Sequence, residues 1–276
     1  MERGVTTSER AEADPLMADA GTAGAGMGGA GMAGRAMTER ILRTADKEGF
    51  RAALIDATDG SVTAWPRFAR TVRAAGAGLS RRGLAADDTA GVLVQDAAEA
   101  AIAVNAIRAA GAAACLIRSD ASGADVAARL NDCGARLLIT SAPLAELAAE
   151  GADRSRVRQI ISFGEAAGTT PFGSLLGSGS DGPAAVVEPG RTEEGNGQAD
   201  QCELTHRDIV VAGPPCGDGQ AYTSLLDLTL LTGATLVAAP LPLVTTAMRV
   251  YKGTAAIVPR GTGVPGVAPS RIFPVA

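Results

Sequence analysis

The chain has 276 residues, a net charge of −5 and 46% hydrophobic residues but only 3% aromatics, the balance of one large or two small globular domains. Lys47 and Lys252 are its only lysines, and no basic stripe interleaved with aromatics occurs, so the electrostatic footprint of nucleic-acid binding is missing. The cysteines Cys115, Cys133, Cys202 and Cys216 show no C-x-x-C spacing, and the single histidine, His206, cannot complete a Cys/His zinc set, so no metal site is expected.

Residues 1–36 are Ala/Gly/Met-rich without periodicity and read as a flexible tail. An amphipathic helix is predicted over Met37–Glu48, then a strand Ala52–Asp56, a turn at Asp59-Gly60 and a return strand Ser61–Trp65. Pro66 opens a helix over 66–82 that puts Phe68, Val72, Ala75 and Leu79 on one face, and Gly83 closes it. Strands at Gly91–Val94, Ala113–Ile117, Arg136–Thr140 and Gln159–Phe163 then alternate with helices at Ala97–Ala110, Ala124–Cys133 and Pro143–Glu150. Gly111 and Gly134 stand as helix caps. Residues 164–183 are loop-like. Helices are predicted at Thr205–Ala212 and Tyr222–Leu231 (with Gly233 as its cap), followed by a strand at Ala234–Ala239. Residues 261–276 form a Gly/Pro-rich tail, leaving 37–260 as the folded α/β domain.

Strand–helix alternation with short apolar strands implies parallel sheet layers flanked by helices, joined by right-handed crossovers. With so few aromatics, the core must be built from Ala, Val, Leu and Ile in thin, closely packed layers. The longest uncharged run, Leu228–Met248, contains Gly233, Pro240 and Pro242 and reads as helix end, strand and turn rather than a membrane span. No signal-type apolar core follows Met1, and a reduced cytoplasmic compartment is expected. The arginine bias reads as GC-rich bacterial coding.

Several segments carry a family resemblance as a group: Ala53-Leu54-Ile55-Asp56, Arg82-Gly83-Leu84, Val92-Leu93-Val94, Ala106–Ala113 and Leu130–Thr140. In order and spacing they resemble the N-terminal subdomain of AMP-forming acyl- and aryl-CoA ligases of the 4-coumarate–CoA ligase type, over about residues 38–163. Leu204-Thr205-His206-Arg207-Asp208 is similar to the family's L-T-H-R-N, and Val244–Tyr251 and Ala255–Pro259 resemble a later helix–strand pair of the family. The resemblance implies that fold, and a phosphate loop of the type S-S-G-T-T-G-x-P-K-G just upstream of Leu204.

The upstream segment departs from that pattern. Residues 192–201 read T-E-E-G-N-G-Q-A-D-Q, and the loop's lysine falls on Asp200. A phosphate cradle needs glycine, hydroxyl or N–H donors and a cation. Residues 188–203 instead hold Glu188, Glu193, Glu194, Asp200 and Glu203 against Arg191. Ionised carboxylates only accept hydrogen bonds, and they repel a triphosphate. Thr192, Gly195 and Gly197 are therefore vestiges of the loop, and Thr205 and His206 mark the expected helix start, with Thr205 as N-cap and Asp208 as its capping-box partner. The family's P-L-F-H segment corresponds to Pro214–Gly219, where histidine and aromatic are missing. The adenine-binding segment, ribose aspartate, hinge and C-terminal lid would lie beyond residue 276.

Other constellations are weak. No G-x-S-x-G elbow exists for a triad with His206, and Cys216 beside Asp218 has no second histidine to activate it. No catalytic residue and no cofactor are assigned. The expected function is a non-catalytic relative of the ligases that works through protein contacts, with a protein partner or a second copy of the chain, no nucleic acid and no membrane. The alternative is a partial ligase that binds acyl or CoA ligands, or is completed by another chain. Only that alternative calls for ATP, Mg²⁺ and CoA. The segment Leu228–Val244 is the expected contact surface.

Overall fold

The computed structural model describes residues 27–177 and 204–275. In chain order it contains α1 (Met27–Glu48), β1 (Ala52–Asp56), β2 (Val62–Ala64), α2 (Trp65–Arg81), β3 (Thr89–Leu93), α3 (Ala97–Ala109), β4 (Ala113–Ile117), α4 (Gly123–Asp132), β5 (Leu137–Ser141), α5 (Ala145–Asp153), β6 (Gln159–Phe163) and β7 (Thr170–Pro171). After the undescribed stretch come β8 (Ile209–Ala212), α6 (Gly219–Leu231), β9 (Thr235–Ala238), α7 (Val244–Val250), β10 (Ala255–Pro259) and β11 (Ile272–Val275).

Two sheets result. One has six strands in the order β11-β10-β8-β9-β1-β2, parallel throughout except for the β1–β2 hairpin. The other is fully parallel, in the order β4-β3-β5-β6-β7. Helices α1, α2, α3 and α6 pack together between the sheets in the main core. Helices α4 and α5 cover the outer face of the five-stranded sheet, and α7 covers that of the six-stranded sheet. The fold is thus α/β in alternating layers, as the strand–helix alternation implies.

The central layer explains the composition. Helix α3 buries Ala97, Ala100, Ala101, Ala103, Val104, Ala106 and Ile107 around most of its circumference. A helix apolar all round must be enclosed, and one enclosed by two sheets needs small side chains. Its one buried polar side chain, Asn105, accepts from Thr38 Oγ1 at 2.7 Å and donates to the Ala101 carbonyl at 2.9 Å. Asp96 caps its start, accepting from Glu99 N at 2.8 Å. The predicted face of α2 is also in place, with Phe68, Val72, Ala75 and Leu79 all fully buried. The glycines expected to close helices, Gly83, Gly111, Gly134 and Gly233, each follow one with positive φ.

Three expectations are corrected. Helix α1 begins at Met27, ten residues before the predicted Met37, so residues 27–36 are helix rather than tail. Its buried stripe, Gly31, Gly34, Thr38, Ile41, Leu42 and Ala45, has helical spacing, but its first members are glycines. A Cβ at Gly31 would stand 2.6 Å from the Gly111 carbonyl oxygen, so the helix docks by close backbone approach instead of apolar bulk. The expected 261–276 tail contributes β11, which pairs with β10 from Ala256↔Ile272 to Pro259↔Val275. Finally, Thr205–Ala212 is not a helix: Thr205–Asp208 form a turn, and Ile209–Ala212 are β8, in the middle of the six-stranded sheet.

Candidate functional site

The L-T-H-R-D turn keeps one half of the bonding expected of a helix start, the Asp208 side chain on Thr205 N, while the backbone turns into a strand. Thr205 N and Oγ1 donate to Asp208 Oδ2 at 2.6 and 2.9 Å, and Arg207 N donates to Thr205 Oγ1 at 3.3 Å. Asp208 Oδ1 accepts from Thr254 Oγ1 at 2.7 Å and from Arg271 Nη1 at 2.8 Å. One buried carboxylate thereby ties the entries of β8, β10 and β11 together. Burial pushes the Asp208 carboxyl upward, but hydrogen bonds from Thr254 and Thr205 and the charge of Arg271 outweigh it, leaving the group below its ordinary value. A depressed carboxylate contributes stability that is present above the unfolded value near 3.8 and lost as pH falls through the folded one. We expect Asp208→Ala to cost about 3 kcal/mol at pH 7 and clearly less at pH 3. Denaturant melts at both values check this, and an equal loss at both would refute the electrostatic account.

His206 is exposed, and what it contributes to the fold is its main chain: Arg51 Nη2 donates to its carbonyl, while Arg51 Nη1 pairs with Glu48. The other expected vestiges, Thr192, Gly195 and Gly197, lie outside the described residues. The structure therefore brings Thr205 next to Asp208 and leaves His206 exposed, in no array with a nucleophile among the described residues.

Ligands of parallel α/β sheets sit at the carboxyl ends of the strands. At that end of β4 lies a cavity of about 400 Å³, lined by Leu116, Ile117, Arg118, Ala121, Asp125, Arg129 and the Gly217–Gly219 turn. Its far wall, Gly217–Gly219, belongs to the loop after β8, which includes the Pro214–Gly219 segment compared above with P-L-F-H. Tyr222, fully buried on α6, donates its hydroxyl to the Gly213 carbonyl at 2.5 Å. Gly213 N donates to the Ile257 carbonyl at 2.8 Å, and Ser119 N and Oγ both donate to the Pro215 carbonyl at 3.2 Å. The loop is thus clamped between the two sheets. Gly219 is required here: a Cβ would meet the Leu116 carbonyl oxygen at 2.5 Å, so α6 rests its first turn directly on β4.

The cavity's charges are largely engaged nearby. Arg118 forks onto Asp120 at 2.9 and 3.1 Å, Asp218 caps α6 by accepting from Gln220 N at 3.0 Å, and Asp125 forms a capping box with Ser122 on α4. Cys216, on the same loop, is half-buried, and burial followed by the charge of Asp120 raises its thiol above the ordinary value. It is therefore protonated at neutral pH, the wrong state for a nucleophile. A second cavity of about 490 Å³, bordered by Arg158, Gln159 and Thr170, lies at the opposite, amino end of β6.

A group that the sequence reading missed lies where the two sheets' carboxyl ends meet. Glu99 and Asp96 on the first turn of α3 feel the charge of Asp56 at the end of β1. Ser141, ending β5, donates to Glu99 Oε2 and accepts from Gln95 N at 2.8 Å. Burial, then the charge of Asp96, pushes the Glu99 carboxyl up to about 8. Among the described residues, no three His, Cys, Asp or Glu side chains converge as a metal site would require.

Similarity to known proteins agrees with this architecture. The profile of the AMP-binding enzyme family matches residues 41–192, more than half of the chain. No curated protein matches it. Among solved structures, a long-chain-fatty-acid–CoA ligase from Archaeoglobus fulgidus superposes with a TM-score of 0.63 at 19% identity, over 81% of this chain and 51% of that one. A benzoate–CoA ligase from Burkholderia xenovorans LB400 gives 0.63 at 16% identity, over 81% and 50%. An amide bond synthetase from Marinactinospora thermotolerans gives 0.61 at 16%, over 82% and 48%. The chain spans about half the length of these proteins, and at such identities the likeness shows the fold. With the profile match covering the first sheet hairpin and the whole five-stranded sheet, the chain belongs to the AMP-binding enzyme family.

Proposed function

We propose that this chain is a non-catalytic member of the family, acting through protein contacts as a subunit or regulator in a reducing, cytoplasmic setting. The observation that carries the reading is the composition of residues 192–201, with Asp200 at the lysine position and Glu193 and Glu194 where the family has Ser, Thr or Gly. Such a donor set does not fit a nucleotide phosphate. The profile match also stops at Thr192, where the phosphate-loop pattern should begin. Thr205, the nearest described hydroxyl, spends its proton on Asp208. Adenylation depends on holding phosphate charge in place, and these residues supply repulsion instead.

Support for a contact role comes from the surface. Within the expected Leu228–Val244 segment β9 is buried, but Leu228, Leu241 and Leu243 are 37, 44 and 36% exposed at its two ends. Val250, on α7, is also exposed. Among the described residues, no helix is long and apolar enough to cross a membrane.

ATP–pyrophosphate exchange with a panel of aryl and fatty acids should stay at background. Calorimetry with ATP and Mg²⁺ should be flat. The triple variant Glu193→Ser, Glu194→Gly, Asp200→Lys should gain weak nucleotide binding without turnover. Robust exchange by the unaltered chain with any acid would end the non-catalytic reading.

A further inference from the structure

Cys115 and Cys133 form a thiol pair that neither the degenerate phosphate loop nor the β4 cavity uses. Cys115 lies on β4, an edge strand, with Gly91 of β3 as its Cα partner. Directly paired residues of neighbouring strands point to the same face of a sheet. A Cβ on Gly91 would stand 2.6 Å from Leu130 Cδ2, so that face looks onto α4. Cys133 ends α4 three residues after Leu130, on the same side of the helix, and its Sγ lies 3.6 Å from the Leu130 carbonyl oxygen. Sheet register and helix spacing thus turn the two thiols toward each other, close enough that each shifts the other's titration.

We propose that Cys133 and Cys115 are a redox site that closes to an intrachain disulfide under hydroperoxides, with Cys133 reacting first and Cys115 resolving. The two thiols are unequal in the required sense. The neighbouring Cys115 thiol, helped by a backbone N–H and Arg129, holds Cys133 at about 7 despite its burial. The same contact, with burial, pushes the Cys115 thiol well above its usual range. At neutral pH one sulfur is therefore substantially thiolate and the other keeps its proton. A low, partly accessible thiol beside a second cysteine is the arrangement that oxidises selectively.

The Cys133 thiolate attacks one oxygen of hydrogen peroxide, the O–O bond breaks, and hydroxide leaves with a proton from solvent as water. Cys133 is then a sulfenic acid. The Cys115 sulfur, giving up its proton, attacks the Cys133 sulfur. The S–O bond breaks, a second water leaves and the S–S bond forms. Two thiols lose two electrons and one peroxide gains them. The product ties the edge strand β4 to the end of α4. It also removes negative charge beside Arg129, one of the two arginines lining the β4 cavity.

The test uses the reduced full chain, equimolar hydrogen peroxide, an alkylating quench and peptide mapping. We expect a Cys115–Cys133 linkage with the loss of two hydrogens, reversed by dithiothreitol, while Cys202 and Cys216 alkylate as free thiols. Cys133→Ser should abolish the linkage, and Cys216→Ser should keep it. A second measurement needs no variant. Iodoacetamide at pH 7 should label Cys133 about five- to tenfold faster than Cys216, the gain in thiolate fraction being partly offset by lower intrinsic nucleophilicity. Oxidation of Cys133 to a sulfinic acid without linkage, a linkage through Cys202 or Cys216, or labelling of Cys133 no faster than Cys216 would overturn the proposal.

Discussion

Asp227→Ala should lower stability by about 3–5 kcal/mol, the usual cost of stranding a buried charge. Asp227 on α6 accepts two contacts from Arg108 Nη1 of α3, both at 2.8 Å, and the side chains are only 10 and 12% exposed. The pair joins helices of the central layer. Burial raises the Asp227 carboxyl above its ordinary value, and the Arg108 charge pulls it back only in part. Removing the aspartate leaves a guanidinium enclosed by α1, α3 and α6, and α1 is close enough that a Cβ at Gly34 would meet Arg108 Cγ at 3.0 Å. At this chain length the loss lowers the melting temperature by roughly 10 °C. The double variant Arg108→Met, Asp227→Leu removes both charges and should recover most of the loss, because desolvation largely offsets the attraction within such a pair. Scanning calorimetry of wild type, Arg108→Met, Asp227→Leu and the double variant forms the cycle, with Asp227→Ala measured beside it. A double variant as unstable as Asp227→Ala alone would show that packing, rather than the stranded charge, carries the effect.

The sequence revealed most of the fold wherever side-chain periodicity and turn residues agreed. Strands β1, β4 and β6 were predicted to the residue, because short apolar runs stand out between turn residues, and β10 falls where the family resemblance put a strand. The first half of α1 was illegible for a physical reason: a helix that docks through Gly31 and Gly34 shows no hydrophobic stripe. The L-T-H-R-D turn misled because Thr205 N donates to the Asp208 carboxylate in this turn as it would in a capping box, although Asp208 N bonds the Thr205 carbonyl rather than its hydroxyl. Such local bonding does not decide the next element, and the apolar run Ile209-Val210-Val211-Ala212 suits the middle of a parallel sheet better than a surface helix. Strand β11 was hidden by Pro274, which an edge strand tolerates. At the candidate site, the acidic composition of residues 192–201, on which the proposed function rests, could be read directly. The β4 cavity, the Glu99–Asp96–Asp56 grouping and the Cys115–Cys133 pair could not. Each unites residues from strands or helices whose adjacency only the sheet order settles.

The Glu99 carboxyl should make the fold lose stability as pH rises between about 4.5 and about 8. The sign comes from proton binding. Burial and then the charge of Asp96 raise Glu99 in the folded chain, so between the unfolded and folded values the native state holds a proton that the unfolded state has released. Stability then falls with pH across the window, by on the order of a few kcal/mol for a shift of this size. The only histidine, His206, is exposed, so histidine burial does not mask the trend. Glu99→Gln keeps a side chain that can bond to Ser141 without ionising, and it should flatten the profile and be the more stable protein at pH 8. Asp96→Asn should narrow the window, because it removes the like charge while asparagine still caps α3. Urea melts of the three proteins at pH 5, 6.5 and 8 measure all of this. Because the low Cys133 thiol adds stability above pH 7, the comparison decides: a Glu99→Gln profile parallel to wild type would show that Glu99 is ionised in the fold and that Ser141 and solvent satisfy its charge.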